Sequence, residues 1–294
     1  MFESFKRDSS FFCIFLIIPV MPPVILTVYY YVVKINIIVT VKYKRMTEKN
    51  INLQNMEENT FNLSRFLSLS GIASRRKCAD IVKAGLVQIN GQTVTEPGCR
   101  VNAADKVVYD GRPVRIEQRI YIMLNKPRGY VCTNDDPHAE KRAFDLVEID
   151  GIRLFSAGRL DKDSEGLLII TNDGDYAMQL SHPRYEIFKT YLVKTDTAIQ
   201  ADELDRLRQG IIDDGERLLP RKIEEIGSCL YRFILNEGKK REIRRMIAAA
   251  GRKTVSLQRI SVGALKLGEL ESGKWRFLSE AEVKLSLRPG FSGQ

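Results

Sequence analysis

The sequence predicts an α+β chain in two parts, a small helix–helix–sheet module and then a larger region where strands and helices mix. Three observations carry this. Apolar residues recur at helical spacing over 62–70 and again after Ser74, and short apolar runs around Asn90-Gly91 follow at once. Further on, strand-like runs led by Leu167 to Thr171 alternate with amphipathic segments such as Ala201 to Gln209. Turn chemistry and a plain linker separate the two parts, giving an extension (1–60), a module (61–110), a linker (111–118) and a main domain (119–290).

In the extension, Phe11 to Val33 carries no charge and Phe11 to Val41 carries only Lys34, which meets the length and apolarity of a membrane-crossing helix. Lys42, Lys44 and Arg45 would suit its cytoplasmic flank. Against this, Pro19, Pro22 and Pro23 interrupt the run, and Tyr29 to Val33 favours strand over helix. The segment fits a secretory signal poorly. The expectation is that residues 1–45 are not part of the working protein, with Met46 and Met56 ahead of polar segments; an anchor or an ordinary extension are the alternatives. Residues 46–60 read as a flexible polar leader.

In the module, Leu63, Phe66 and Leu67 place a helix over 62–70, ended by Gly71. Ser74 caps a second helix, with Cys78, Ala79, Ile81 and Val82 inward and Gly85 in left-handed backbone at its end. Asn90-Gly91 joins Leu86–Ile89 to Gln92–Thr95 in a type I′ hairpin, and Val101 to Tyr109 supplies another strand. Residues 61–118 hold nine Lys/Arg against five Asp/Glu. Arg75, Arg76, Lys77 and Lys83 cluster on the second helix, with Arg65 on the first, where cations and free N–H groups can grip phosphates. For any one of these residues alone, a solvated helix face is the plainer reading.

In the main domain, Arg119–Asn125 and Tyr130–Thr133 read as strands around the basic turn Lys126-Pro127-Arg128-Gly129. The stretch Gly158-Arg159-Leu160-Asp161-Lys162-Asp163-Ser164-Glu165-Gly166 is a charged loop ahead of the buried strand Leu167–Thr171, which ends at Asn172-Asp173-Gly174. Such a loop sets its side chains at the rim of a core, where enzymes often keep a carboxylate; on spacing alone Asp161 is more often a solvated turn residue. Phe188–Val193 is a strand carrying Tyr191, Leu230–Leu235 another, and Ile243, Met246, Ile247 and Ala250 mark a helix ended by Gly251. Five cations in the seven residues Lys239 to Arg245 crowd that helix start, which the helix dipole disfavours unless a phosphate or a carboxylate offsets them. Trp275–Leu278 and Ser279–Leu287 close the chain as strand and helix.

Gly-Arg-Leu-Asp with its strand and Thr-Asn-Asp-Gly turn, Leu-Asn-Lys-Pro-Arg-Gly-Tyr, Lys-x-Tyr and the 236–246 run together resemble the RsuA/RluB family of RNA pseudouridine synthases. Ser-Gly-Ile-Ala-Ser-Arg-Arg followed by Val-Gln-Ile-Asn-Gly is similar to the α-L RNA-binding module, with Asn62-Leu63 where Arg-Leu often stands. The resemblance implies a mostly antiparallel mixed sheet flanked by helices, with a cleft across its middle. It implies Asp161 as the catalytic carboxylate, Tyr191 packed on the uracil ring and Arg244 paired with Asp161. It also implies RNA contact by Arg65, Arg75, Arg76, Lys77, Lys126, Arg128, Arg159, Lys239, Arg241 and Arg245.

Composition agrees. The net charge of +9 favours a polyanion as partner. The cysteines Cys13, Cys78, Cys99, Cys132 and Cys229 form no CxxC pair and read as reduced thiols of a cytoplasmic protein. His138 and His182 are too few for a histidine-rich metal site, and no P-loop or Gly-x-Gly-x-x-Gly is present, so no cofactor is expected. The expected partner is ribosomal RNA or a ribosome assembly intermediate, met by a monomer without membrane attachment. The alternatives are a non-catalytic RNA-binding factor on the same fold, and a membrane-tethered binder resting on residues 11–41.

Overall fold

The computed structural model describes residues 60–102, 104–133, 139–149 and 151–290. The readings of 1–59, Cys13 and His138 lie outside them. Two helices open the module, α1 (Leu63–Leu69) and α2 (Arg75–Lys83), and Ser74 caps the second by accepting from the Lys77 N–H. Leu63, Phe66, Leu67, Cys78 and Val82 share a core with Val87, Val101 and Val107. The sheet is β1 (Val87–Ile89), β2 (Gln92–Val94), β3 (Val107–Tyr109) and β4 (Arg112–Pro113), in the order β2-β1-β3-β4. Asn90 and Gly91 both have positive φ, as the type I′ turn requires.

Two expectations change here. Val101 to Tyr109 is not one strand: Arg100–Val101 pairs with Phe61–Asn62, and Asp105 folds a turn before β3 by accepting from Asn102 N–H and Asn90 Nδ2. Asp110-Gly111 is a second tight hairpin turn, so Arg112–Pro113 is an edge strand rather than the start of a linker.

The main sheet runs β10 (Lys222–Gly227), β11 (Leu230–Leu235), β7 (Lys189–Thr195), β12 (Thr254–Val262), β6 (Glu165–Thr171), β5 (Tyr121–Lys126) and β13 (Trp275–Phe277). Phe155–Ser156 and Leu265–Lys266 add short pairings to β6 and β12. Every neighbouring pair on this path is antiparallel except β12 with β6, which share two rungs, Gln258↔Glu165 and Arg259↔Gly166. A separate hairpin, β8 (Ile211–Asp213) and β9 (Glu216–Leu218), stands off the sheet.

Helix α3 (Gly174–Ser181) packs Tyr176, Ala177 and Leu180 on Met123, Leu167 and Ile169. Among the described residues the remaining α-helices are α4 (Ala201–Gln209), α5 (Glu242–Ala249) and α6 (Glu280–Ser286). α5 buries Ile243, Met246 and Ile247 and lies against β8 and β12. Tyr130–Thr133 makes only an isolated bridge, Val131↔Arg142, because Gly129 turns the chain at φ +93° and spends its N–H elsewhere. The Thr171-Asn172-Asp173 turn is structural. Thr171 and Asn172 bond the backbone of Ile120, and buried Asp173 caps α3 while accepting from the Tyr121 hydroxyl. His182 likewise accepts a backbone bond from Arg184.

Candidate active site

The Asp161 loop is pinned by its own backbone. Three consecutive carbonyls accept from two other segments: Lys162 O from Gly129 N–H at 2.7 Å, Asp163 O from Arg244 Nη2 at 2.9 Å, and Ser164 O from Lys126 Nζ at 2.6 Å. Ser164 N–H closes the loop onto Asp161 O at 3.0 Å. The Lys-Pro-Arg-Gly turn and the start of α5 thus hold the loop, and the Asp161 side chain remains half-buried at its edge.

Sheet register explains what lies beside it. One row crosses the strands through Phe233, Tyr191, Arg259, Gly166 and Lys126. Cross-strand partners project to one face. Tyr191 and Arg259 therefore share the face on which Lys126 meets the Asp161 loop. Gly166 makes the row possible: its φ is +102°, and a Cβ there would collide with the Arg259 carbonyl oxygen.

Arg244 meets the loop through the Asp163 carbonyl rather than through the Asp161 carboxylate, so the expected direct pair takes an indirect form. Burial, then Arg241, pulls Arg244 below the ordinary guanidinium value, while Asp163 and Asp161 pull the other way. Its Nε is buried without a partner. Lys126 is also lowered, by burial first, against the charges of Asp161, Glu165 and Asp163.

The expected RNA-facing cations divide. Arg75, Arg76, Lys77, Arg128, Arg159 and Arg241 are exposed. Arg241 also lies 3.9 Å from the Asp163 carboxylate. The other four are committed within the chain. Lys126 is 0% exposed and serves the loop. Arg65 pairs with Asp175. Lys239 pairs with Glu237 and donates to the Arg217 carbonyl. Arg245 pairs with Asp213 and Glu216 of the β8–β9 hairpin. Carboxylates thus offset part of the charge at the α5 start. Sequence reasoning passed over two residues of this face, Arg259 and Lys189. The alternation of Thr254 to Val262 was the signal for the first, and the Lys-x-Tyr spacing for the second. A cavity of about 330 Å³ is lined by Arg142, Phe144, Ile152 and Arg153 among others, none of them in the loop, β7 or α5.

Residues 62–107 match the S4 domain and residues 120–249 match RNA pseudouridylate synthase. An uncharacterized RNA pseudouridine synthase of Aquifex aeolicus is 39% identical over 228 residues, 75% of this chain and 91% of that one. Ribosomal large subunit pseudouridine synthase B of Bacillus subtilis is 35% identical over 228 residues, 76% of this chain and 93% of that one. A crystal structure of a pseudouridylate synthase superposes with TM-score 0.57 at 30% identity, covering 76% of this chain and 98% of that one. The chain belongs to the RNA pseudouridine synthase family. It is an isomerase that converts uridine to pseudouridine in RNA. Among the described residues no helix is long and apolar enough to cross a membrane.

Proposed function

We propose that this chain isomerises a specific uridine of ribosomal RNA, with Asp161 as the catalytic carboxylate. The observation that carries the assignment is the pinning of residues 162–164 by Gly129, Arg244 and Lys126, which fixes the loop while leaving the Asp161 carboxylate unspent. Preset geometry of this kind removes part of the barrier before substrate arrives. The reaction breaks the bond between ribose C1′ and N1, turns the ring and rejoins it through C5. Apart from a proton lost at C5 and one gained at N1, nothing is exchanged with outside and no electrons change hands, so its chemistry requires no redox group or nucleotide.

In this reading Tyr191 packs on the extruded ring and Arg244 steadies the loop beside the ribose. Residues 61–113 grip RNA, 114–118 connect, and 119–290 do the chemistry. Arg75, Arg76 and Lys77 at the α2 start, with Arg128, Arg159 and Arg241 around the loop, take phosphates. Flipping the nucleotide costs a few kcal/mol, least in a loop or single strand, and these contacts supply it. The Bacillus relative's name supports rRNA as the substrate. A monomer working in the cytoplasm on rRNA or an assembly intermediate completes the reading.

The test is tritium release from rRNA carrying [5-³H]uridine. Asp161→Asn should abolish release with the fold intact by circular dichroism. Full activity in that variant removes Asp161 from the chemistry; unchanged pseudouridine maps of both rRNAs in a deletion strain remove rRNA as the substrate.

A further inference from the structure

We propose that Lys189 and Arg259 form a cationic seat for the negative charge that builds on the uracil carbonyl oxygens during the reaction. The inference deepens the reading above and rests on it. Arg259 is 4% exposed; its Nε donates to the Leu167 carbonyl at 2.7 Å, and its Nη2 is buried without a hydrogen-bond partner. It stands directly opposite Tyr191 across β7 and β12. Opposed Cα atoms lie only about 4.5–5.5 Å apart, within reach of one nucleobase. Lys189 precedes Tyr191 by two positions in the unbroken register of β7 with β11, so alternation turns it to the same face, while the pairing with β12 shifts between Thr190 and Tyr191. Its Cα partners are apolar, Leu235 on β11 and Val262 on β12, and the charge that reaches it is the Arg259 cation. A buried guanidinium with one N–H unfilled, beside a half-buried ammonium that feels its charge, calls for an anion.

The chemistry supplies one by every route open to a carboxylate. If Asp161 attacks C1′, the C1′–N1 bond breaks and its electron pair stays on the ring, shared by N1, O2 and O4. If a ribose proton is removed and a glycal forms, the same bond breaks with the same result. If Asp161 adds to C6, the C5–C6 π pair moves onto the O4 enolate. In the rejoining step C5 bonds to C1′ as the Asp161–C1′ ester breaks, or as the glycal regains its ribose proton, or, on the C6 route, as C1′ leaves N1 and the carboxylate then leaves C6; the C5 proton leaves to a base and N1 gains a proton, so the sum is an isomerisation. A guanidinium held by its bond to the Leu167 carbonyl, with an ammonium on the same face, opposes ring charge with little reorganisation. A phosphate of the target nucleotide is the competing occupant. It is disfavoured because the seat lies on the Tyr191 row, while the exposed cations surround the loop.

The test uses the full chain and [5-³H]uridine rRNA in single turnover, with wild type and Asp161→Asn as references. Lys189→Met should lower the saturated rate about a hundredfold, as loss of one preset donor does, with RNA affinity by filter binding unchanged. Lys189→Arg should restore most of it. Burial and Arg259 pull Lys189 down to about 8. The wild-type kcat/KM should therefore fall above that pH, and this limb should vanish in both Lys189 variants, which a merely structural role would not produce. An unchanged rate in Lys189→Met overturns the seat alone. Weakened binding with an unchanged saturated rate assigns the pair to a phosphate and also overturns it. If wild type releases no tritium from either rRNA, the rRNA reading fails and takes the seat with it.

Discussion

Replacing Lys126 by methionine should separate positioning from both folding and RNA binding. Lys126 Nζ donates to Ser164 O at 2.6 Å and to Pro127 O at 3.0 Å from a fully buried side chain. Methionine keeps the apolar stem and drops the ammonium. Each lost bond from a charged donor is worth about 1.5–3 kcal/mol. Against that, the variant no longer buries a charge, whose effective penalty is on the order of several kcal/mol. The opposing effects leave stability within about 2 kcal/mol of wild type, a shift of less than about 8 °C in Tm for a domain of this size. Activity should not be buffered in this way. The carbonyl three residues after Asp161 loses its anchor, and a misplacement of about 1 Å costs on the order of a hundredfold.

The expected result is therefore a single-turnover rate down about a hundredfold, a modest change in melting and an unchanged RNA affinity. Lys126→Arg should not rescue, because a planar fork does not fit a fully enclosed ammonium site. Tritium release, thermal melting and filter binding at two salt concentrations measure all three. Activity within threefold of wild type would refute the pinning argument. A loss of affinity with a salt slope reduced by about one would instead return Lys126 to the RNA backbone.

Three further outcomes follow from charges elsewhere. Glu242 is 3% exposed, accepts from Lys239 N–H through Oε2 and has no partner at Oε1; burial first, then Glu237, pushes it up to about 7. From about pH 4.5 to 7 the folded chain keeps a proton that the unfolded chain has lost, so this contribution is full below that window and lost as pH rises through it. Glu242→Gln should therefore gain Tm over wild type at pH 8 but not at pH 5; equal differences at both would remove the argument. Arg65 and Asp175 are 36% and 42% exposed, so Arg65→Ala should cost no more than about 1 kcal/mol and leave RNA affinity within about twofold. The double change Arg75→Ala, Arg76→Ala should lower the salt slope of binding by about two, and a loss of that kind from Arg65→Ala would make Arg65 a phosphate contact.

What the sequence made legible was local. The Ser74 cap, the Asn90-Gly91 hairpin and the inward faces of α1 and α2 are each decided within a few residues, and each stands where spacing placed it. Leu167 to Thr171 was legible because an uninterrupted apolar run has few alternatives to a buried strand. Partners were not legible. Nothing local says that Lys126 points into the protein and bonds Ser164, 38 positions later, or that Arg245 faces a hairpin 29 to 32 positions earlier. A cation reads the same in sequence whether it meets a phosphate or a carboxylate. The β12 strand escaped for a related reason. Its Gln258 and Arg259 look solvent-bound until β6 and β7 close on either side.

Those two flanks explain why the site sits where it does. β6 and β12 are the one parallel pair on the main path of the sheet, and they share only two rungs. Past Gly166 the ladder stops, and the Leu167 carbonyl takes its bond from the Arg259 side chain instead of a neighbouring strand. Buried backbone groups need partners, so this arginine has a structural task before it has a chemical one. Arg244 repeats the arrangement, with Nη2 on the Asp163 carbonyl and Nε buried and unfilled. Each guanidinium stitches the backbone with one nitrogen and leaves another unmatched, an omission worth roughly 1–3 kcal/mol apiece. Of the four buried side-chain atoms left unmatched among the described residues, these two are the only donors, and both flank the Asp161 loop. They fit a site whose last hydrogen-bond acceptors arrive with the RNA.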